Sequence, residues 1–201
     1  MSELVSSPLL VVVDMQHVFR DPESPWATPG FDEIVEPIDT LAGAFGDRVV
    51  FTRYRVPEHP EGSWVAYFEL WSEVTKPERR RWMDLVEPWA SRRPRTLEKE
   101  SFSKWGPELR DLAGESKTLV LCGVATDCCV ISTALPAADD GMFVRIVADA
   151  CRGATADAHA HALAIMGGYA PQIVVSTVGD ELTRLDGLDA RLGSPSGQSL
   201  I

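Results

Sequence analysis

The stretch that decides the fold is TLVLCGVATDCCV, residues 118–130. Its first four residues, Thr118–Leu121, form a short apolar and β-branched run, which favours a strand buried on both faces. A glycine ends this strand, and Thr126 and Asp127 are residue types that commonly cap the start of a helix. The stretch therefore predicts a strand, a turn and a helix that carries Cys129 in its first turn.

The same alternation of short strands and longer amphipathic segments continues on both sides of this stretch. The other predicted strands are Leu9–Val13, Val49–Thr52, Arg95–Leu97, Phe143–Val147 and Ile173–Val175. The predicted helices are Phe31–Phe45, Pro107–Leu112, Asp127–Asp140 and Ala154–Met166, the third of them with a kink or an early end at Pro136. Such alternation predicts an α/β protein: a three-layer αβα sandwich with a six-stranded, mostly parallel, Rossmann-like sheet.

The chain of 201 residues is predicted to form one domain, residues 1–201. Its least regular part is an excursion at residues 57–94, which holds four of the six tryptophans and two arginine runs. This segment is too apolar for a disordered linker. We expect it to be partly helical and to cover either a site or a partner subunit.

Composition excludes several classes of function. The formal net charge of −11 argues against a nucleic-acid partner, because phosphate binding requires a basic surface. No apolar run approaches the roughly 20 residues that span a bilayer, and the first residues do not resemble a signal peptide. Four cysteines are too few for the disulfide framework of a secreted protein. We predict a cytoplasmic protein with reduced thiols and no membrane partner.

Three chemically useful side chains follow predicted strands. Asp14 comes directly after the first strand, Lys99 after the third and Cys129 after the fourth, and Lys104 has the same claim on composition as Lys99. The carboxyl ends of parallel strands share one crevice, and the start of a helix favours a thiolate. Each residue alone has a simpler interpretation: a turn aspartate, a solvated lysine or a buried thiol. Together they predict a nucleophile, a proton acceptor and a cation in one site.

The motifs around these residues resemble the isochorismatase-like cysteine hydrolases, which include nicotinamidases and N-carbamoylsarcosine amidases. VVVDMQHVF (residues 11–19) is similar to the family's opening strand, and EKESFSKW (residues 98–105) to its lysine segment. GVATDCCVISTALPAADDGMFVRIVADACRG (residues 123–153) is similar to the nucleophile motif and the following helix and strand. The resemblance implies the isochorismatase-type fold and a small-molecule substrate.

The resemblance also implies the roles of individual residues. Cys129 would be the nucleophile, because the family's cysteine directly precedes a valine, and Cys128 would be a variable neighbour. Asp14 would be the proton acceptor and Lys99 the third catalytic partner. A cis peptide bond would join Val124 to Ala125, so that the N–H groups of Ala125 and Cys129 form the oxyanion hole. The implied reaction is hydrolysis of a C–N bond in a small amide or carbamoyl or ureido compound, through a thioester acyl-enzyme.

One departure concerns the metal. Nicotinamidases hold a metal with one aspartate and two histidines after the second strand, where this chain has Tyr54, Val56 and a lone His59. A single histidine is a poor metal site. We therefore predict no metal and no other cofactor, and the departure argues against nicotinamidase activity.

The wall of the substrate pocket is the least defined part of the prediction. Its candidates are Gln16, Phe19, Trp26, Trp64 and Tyr67, each of which could instead serve ordinary packing. The family commonly assembles, so a homodimer or homotetramer is expected.

Several alternatives stay open at this point. The chain could act as an isochorismatase-type or ester hydrolase, although a cysteine nucleophile favours C–N hydrolysis. It could be a thiol redox protein that uses Cys128 and Cys129, but neighbouring cysteines pair only with strain. It could also be a binding protein that has lost catalysis.

Overall fold

The computed structural model describes residues 7–192, which contain one six-stranded sheet in the order β3-β2-β1-β4-β5-β6. All neighbouring strands in this sheet are parallel. The strands are β1 (Leu9–Val13), β2 (Val49–Tyr54), β3 (Thr96–Lys99), β4 (Thr118–Val124), β5 (Phe143–Arg152) and β6 (Ile173–Ser176). The predicted parallel α/β fold is confirmed.

Helices flank the sheet. They are α1 (His17–Arg20), α2 (Val35–Phe45), α3 (Ser63–Leu70), α4 (Trp89–Arg92), α5 (Pro107–Ala113), α6 (Ile131–Asp139), α7 (Ala156–Gly167) and α8 (Val178–Leu192). Helices α1 to α7 lie on the connections between strands, and α8 follows the last strand. Short 3₁₀ turns precede α2 and lie between α3 and α4, and a π-helical turn at Thr126–Val130 precedes α6. No helix within residues 7–192 is long and apolar enough to cross a membrane.

The strand order reverses between β1 and β4, and this reversal defines the site. β2 and β3 extend the sheet on one side of β1, whereas β4 begins the other side. Val13 at the end of β1 pairs with Gly123 in β4. Gly123 has a φ of 108°, and a side chain there would collide with the backbone of Val13. Glycine therefore allows β1 and β4 to lie close together at their carboxyl ends. Open parallel sheets bind ligands at this edge, where the strand order reverses.

The sequence predictions differ from the structure mainly in element bounds. The predicted β1 is confirmed at Leu9–Val13, and the other strands extend by one to five residues or shift by one or two. The predicted helix at 127–140 is divided into the π-helical turn and α6. The early end at Pro136 is wrong, because α6 continues through the proline to Asp139. The helix α8 was not predicted.

The excursion at residues 57–94 packs onto the body of the domain. Trp82 and Trp89 are buried, and their indole N–H groups donate to Asp21 at 2.9 Å and to Asp39 at 3.1 Å. The segment contains α3, two 3₁₀ turns and α4, so the prediction of a partly helical excursion is confirmed.

Candidate active site

Asp14 leaves β1 in a left-handed backbone conformation, with φ at 51°, and its side chain is completely buried. Aspartate is one of the few residue types with a side chain that tolerates this conformation. The Thr52 hydroxyl donates to Asp14 Oδ1 at 2.6 Å and accepts from the Asp14 N–H at 3.2 Å. Because Thr52 lies in the neighbouring strand β2, the carboxylate is fixed by the sheet itself.

The amine that meets this carboxylate belongs to Lys104. Its Nζ lies 2.8 Å from Asp14 Oδ2, and both side chains are completely buried. The same Nζ donates to the Ser101 carbonyl at 3.1 Å and lies 5.2 Å from the centre of the Tyr54 ring. Burial alone would lower the pKa of Lys104, but the negative charge of Asp14, 2.8 Å away, outweighs it and raises that pKa. Lys104 is therefore a permanent cation at neutral pH.

The prediction that Lys99 joins Asp14 is wrong in its geometry. Lys99 is the last residue of β3 rather than the first residue after it, and it pairs with Tyr54 across the edge of the sheet. Its Nζ lies 2.5 Å from Glu108 at the start of α5. The chain then turns back, and Lys104, five residues later, enters the interior instead.

Cys129 lies in the π-helical turn after β4 and is 3% exposed. The turn is tied to the lysine segment through Thr133. The Thr133 hydroxyl donates to the Cys129 carbonyl at 2.7 Å and accepts the Lys104 N–H at 2.9 Å. One threonine on α6 thus positions the backbones of the thiol residue and the amine residue together.

The surroundings of Cys129 favour the protonated form of its thiol. A hydrogen bond with the Cys128 thiol, burial and the negative charge of Asp14 raise its pKa well above the ordinary value, and the charge of Lys104 opposes them. The mutual hydrogen bond has the opposite effect on Cys128 and lowers its pKa. Ionisation of this thiol at neutral pH would therefore need a proton acceptor, and Asp14 is a carboxylate whose charge acts on it.

The peptide bond between Val124 and Ala125 is cis, which confirms that part of the prediction. Ala125, Cys128 and Cys129 all border one cavity.

The cavity beside Cys129 has a volume of about 260 Å³ and is walled largely by aromatic side chains. Phe19, Trp26 and Tyr67 line it, in agreement with the sequence prediction. Two predicted wall residues do not line it. Gln16 is completely buried, and its amide bonds the backbones of Tyr54 and Met83. Trp64 packs edge to face against Tyr67, with ring centres 5.3 Å apart.

Sequence reasoning missed three aromatic wall residues: Tyr54, Trp71 and Phe102. Tyr54 is the last residue of β2, so inspection of every strand end would have found it. Trp71 and Phe102 lie on irregular segments, and no pattern in the sequence marks them as wall residues.

The residues at the family's metal position do not fit a metal. His59 is exposed, and Tyr54 places a buried aromatic ring where the metal-binding aspartate of nicotinamidases would lie. Within residues 7–192, no cluster of three His, Cys, Asp or Glu side chains could hold an ion.

Comparison with known proteins gives the family of this chain. The isochorismatase domain model matches residues 8–178. Isochorismatase domain-containing protein 2 of Xenopus laevis is 43% identical over 56 residues, which are 26% of this chain and 27% of that protein. The aligned segment thus spans little more than a quarter of the length of this relative and of the protein of the same name from Rattus norvegicus.

Two solved structures share the fold over most of their length. A cysteine hydrolase from Pseudomonas syringae pv. phaseolicola has a TM-score of 0.74 at 21% identity and covers 93% of this chain and 99% of that one. A nicotinamidase from Bacillus subtilis has a TM-score of 0.68 at 21% identity, with 85% and 100% covered. With a family model that matches most of its length, the chain belongs to the isochorismatase family of hydrolases.

Proposed function

We propose that this protein is a cysteine-dependent hydrolase that cleaves a C–N bond of a small amide, carbamoyl or ureido compound. The observation that carries this proposal is the buried Asp14–Lys104 pair beside the protonated Cys129 thiol, at the wall of an aromatic cavity. A nucleophile, a base and a fixed cation beside one substrate cavity are the parts that acyl transfer requires.

The first half of the reaction forms a thioester. Asp14 accepts the proton of the Cys129 thiol while the sulfur attacks the substrate carbonyl carbon. The N–H groups of Ala125 and Cys129 hold the resulting oxyanion. When the tetrahedral intermediate collapses, the C–N bond breaks and the protonated Asp14 gives its proton to the leaving ammonia or amine.

The second half regenerates the enzyme. A water molecule gives a proton to Asp14 as it attacks the thioester carbonyl, and the carboxylic acid leaves from sulfur. The proton on Asp14 returns to the Cys129 thiolate. Proton transfer of this kind typically contributes about 10²–10⁴-fold to a rate.

Lys104 takes the role that the resemblance gave to Lys99. It never transfers a proton in this scheme, because its pKa is raised and its charge is needed in every state. It stabilises the carboxylate in the resting site and the thiolate after proton transfer. The charge of Lys104 acts to lower the pKa of Cys129, which eases that transfer.

Several coarser properties accompany this proposal. Four free cysteines within the described residues are compatible with a cytoplasmic location, and the family commonly forms homodimers or homotetramers. We propose one domain across residues 1–201, a small-molecule substrate and no cofactor. Light scattering of the purified protein would decide the oligomeric state.

The proposal is tested by ammonia release from a panel of small primary amides and ureido compounds, before and after treatment with iodoacetamide. We expect release from at least one compound, its loss after alkylation, and its absence in Cys129→Ala that retains a wild-type circular dichroism spectrum. A Cys128→Ala variant is the matched control and keeps the nucleophile. Release that persists in folded Cys129→Ala would contradict the proposal.

A further inference from the structure

The cavity beside Cys129 combines an aromatic wall with a single charge. Within residues 7–192, fourteen residues line it, and Asp127 is the one charged side chain among them, with no Lys, Arg or His. The faces of aromatic rings also carry partial negative charge. The wall as a whole therefore favours a positive group. Its six aromatic members are Phe19, Trp26, Tyr54, Tyr67, Trp71 and Phe102.

Three of these rings are inclined to one another rather than stacked. The planes of Trp26 and Tyr67 differ by 41°, with ring centres 5.9 Å apart. Those of Tyr67 and Trp71 differ by 54°, with ring centres 6.4 Å apart. All three side chains are half-buried, so part of each remains open. Rings inclined in this way form a curved wall, and a curved aromatic wall can surround a compact cation.

The carboxylate of Asp127 is held at the wall by the backbone that leads into α7. Its Oδ1 accepts the N–H of Ala154 at 2.9 Å. Two basic side chains near it do not neutralise it. Arg152 pairs with Glu33 at 2.8 Å, and burial together with the charge of Arg152 lowers the pKa of His159, which favours the neutral imidazole. The charge of Asp127 is therefore available to a ligand.

An anionic ligand finds no counter-charge in this cavity. The buried ammonium group of Lys104 is already paired with Asp14 at 2.8 Å and lies against the Tyr54 ring. A ligand carboxylate would lose its hydration without gaining a cation and would meet Asp127, which is unfavourable. A ligand cation would instead interact with the ring faces and with the carboxylate. The formal net charge of −11 also attracts cations to the protein.

We propose that the cavity is a cation cage, which selects an amide that carries a compact quaternary ammonium group close to its scissile carbonyl. The rings of Trp26, Tyr67 and Trp71 and the Asp127 carboxylate hold the cation while the amide faces Cys129. A quaternary ammonium suits this wall because it has no N–H donors that need acceptors. The volume of about 260 Å³ fits a small ligand. This inference rests on the proposed function for its scissile amide, but the recognition itself can be measured by binding alone.

The test compares two amides of the same shape. The compound 2-(trimethylammonio)acetamide carries the cation, and 3,3-dimethylbutanamide has carbon in place of the charged nitrogen. The malonamate ion carries a carboxylate on the same acetamide unit. Binding of each to a Cys129→Ala variant is measured by calorimetry or ligand-observed NMR at constant ionic strength. We expect the cation to bind about three- to thirtyfold more tightly than its neutral isostere, and the anion to bind least.

Substitutions then identify the residues that form the cage. In the Cys129→Ala background, Asp127→Asn keeps an oxygen for the Ala154 N–H but removes the charge, and should reduce the preference for the cation about threefold. Asp157→Asn is the matched control, because it removes the same charge from an exposed position in the first turn of α7 and should keep the preference. Trp71→Leu should weaken binding of the cation more than binding of the isostere. A merely structural role for Asp127 or Trp71 would weaken both amides alike.

The outcomes separate this inference from the proposed function, with ammonia release from both amides measured on the wild-type enzyme. A cation preference that depends on Asp127, without ammonia release from any amide, would retain the inference and contradict the proposed reaction. Equal binding of the cation and its isostere, binding of neither, or tightest binding of the anion would overturn the inference, as would a preference that survives both substitutions. Ammonia release from neutral amides would then leave the reaction standing.

Discussion

Lys104 Nζ and Asp14 Oδ2 lie 2.8 Å apart, and neither side chain has any exposed surface. An ion pair in this setting pays a desolvation cost for both charges, so burial of the pair is weak support for stability. The arrangement is better explained by chemistry, because a carboxylate with a fixed cation beside a protonated thiol can accept a proton and tolerate the thiolate that results.

Replacement of Lys104 by Met should disable the site. The variant removes the cation but keeps the volume, and it leaves Asp14 as an unpaired buried charge. We expect a loss of about 3–5 kcal/mol in the free energy of unfolding and at least about a hundredfold loss of amide hydrolysis. Urea titration and ammonia release measure the two effects.

Lys99→Met is the matched control for that variant. The ion pair of Lys99 with the mostly exposed Glu108 is at the surface, where such pairs contribute about 0–1 kcal/mol. Activity should stay near the wild-type level. The opposite pattern, with an active Lys104→Met and an inactive Lys99→Met, would return the catalytic role to Lys99.

Removal of both charges should cost less stability than removal of one. Each single variant, Asp14→Asn or Lys104→Met, leaves the charge of the other residue buried and unpaired. The double variant leaves no unpaired charge. We expect a favourable coupling energy of about 1–3 kcal/mol in a double-mutant cycle by urea unfolding. All three variants should lack hydrolysis, and additive stabilities would show that the two residues do not interact in solution.

The rate at which Cys129 is alkylated should depend on pH, and this dependence should change when a neighbouring charge is removed. A raised thiol pKa means that little thiolate is present at neutral pH, so alkylation should still accelerate above pH 9, the ordinary thiol value. Since the charge of Asp14 raises this pKa, Asp14→Asn should alkylate faster than wild type at neutral pH although it is catalytically dead. Lys104→Met should alkylate more slowly. Tandem mass spectrometry of the peptide that holds both cysteines locates the alkyl group on Cys129 or Cys128, and unchanged rates would contradict the assigned contacts.

Gly123 should resist substitution because of the neighbouring strand. Its φ of 108° is unfavourable for alanine, and an alanine Cβ would also strike the Val13 backbone. Gly46 offers a control, since its φ is 58° but nothing lies within 4 Å of an added Cβ. We expect Gly46→Ala to cost about 1 kcal/mol and Gly123→Ala clearly more, as a larger drop in thermal midpoint. Equal drops would show that the close approach to Val13 is not a constraint.

The central strands and the place of Cys129 after β4 were predictable from sequence because local pattern determines them. In an α/β chain, the continuous apolar run at Leu9–Val13 predicts a strand buried on both faces. The glycine after the apolar run of β4 predicts a turn into a helix, with Cys129 in its first turn. The resemblance supplied the cis bond after Val124, which no local pattern predicts.

The lysine could not be assigned in this way. Lys99 and Lys104 stand five residues apart in one segment, and the choice depends on where β3 ends and how the chain turns after it. The long-range hydrogen bond from the Lys104 N–H to Thr133 fixes that turn. The sequence of residues 95–105 alone cannot predict this bond, because Thr133 lies outside the segment. The misassigned wall residues Gln16 and Trp64 have the same cause, since their positions depend on contacts with distant segments.

Detection of the covalent intermediate tests the central claim most directly. A turned-over amide would be mixed with the enzyme, quenched in acid during the steady state, and the digested protein analysed by mass spectrometry. The account predicts an acyl group of the substrate's mass on the peptide that contains Cys129, located on that sulfur and absent from Cys129→Ala. Turnover without any adduct on Cys129, or with an adduct on Cys128, would contradict it.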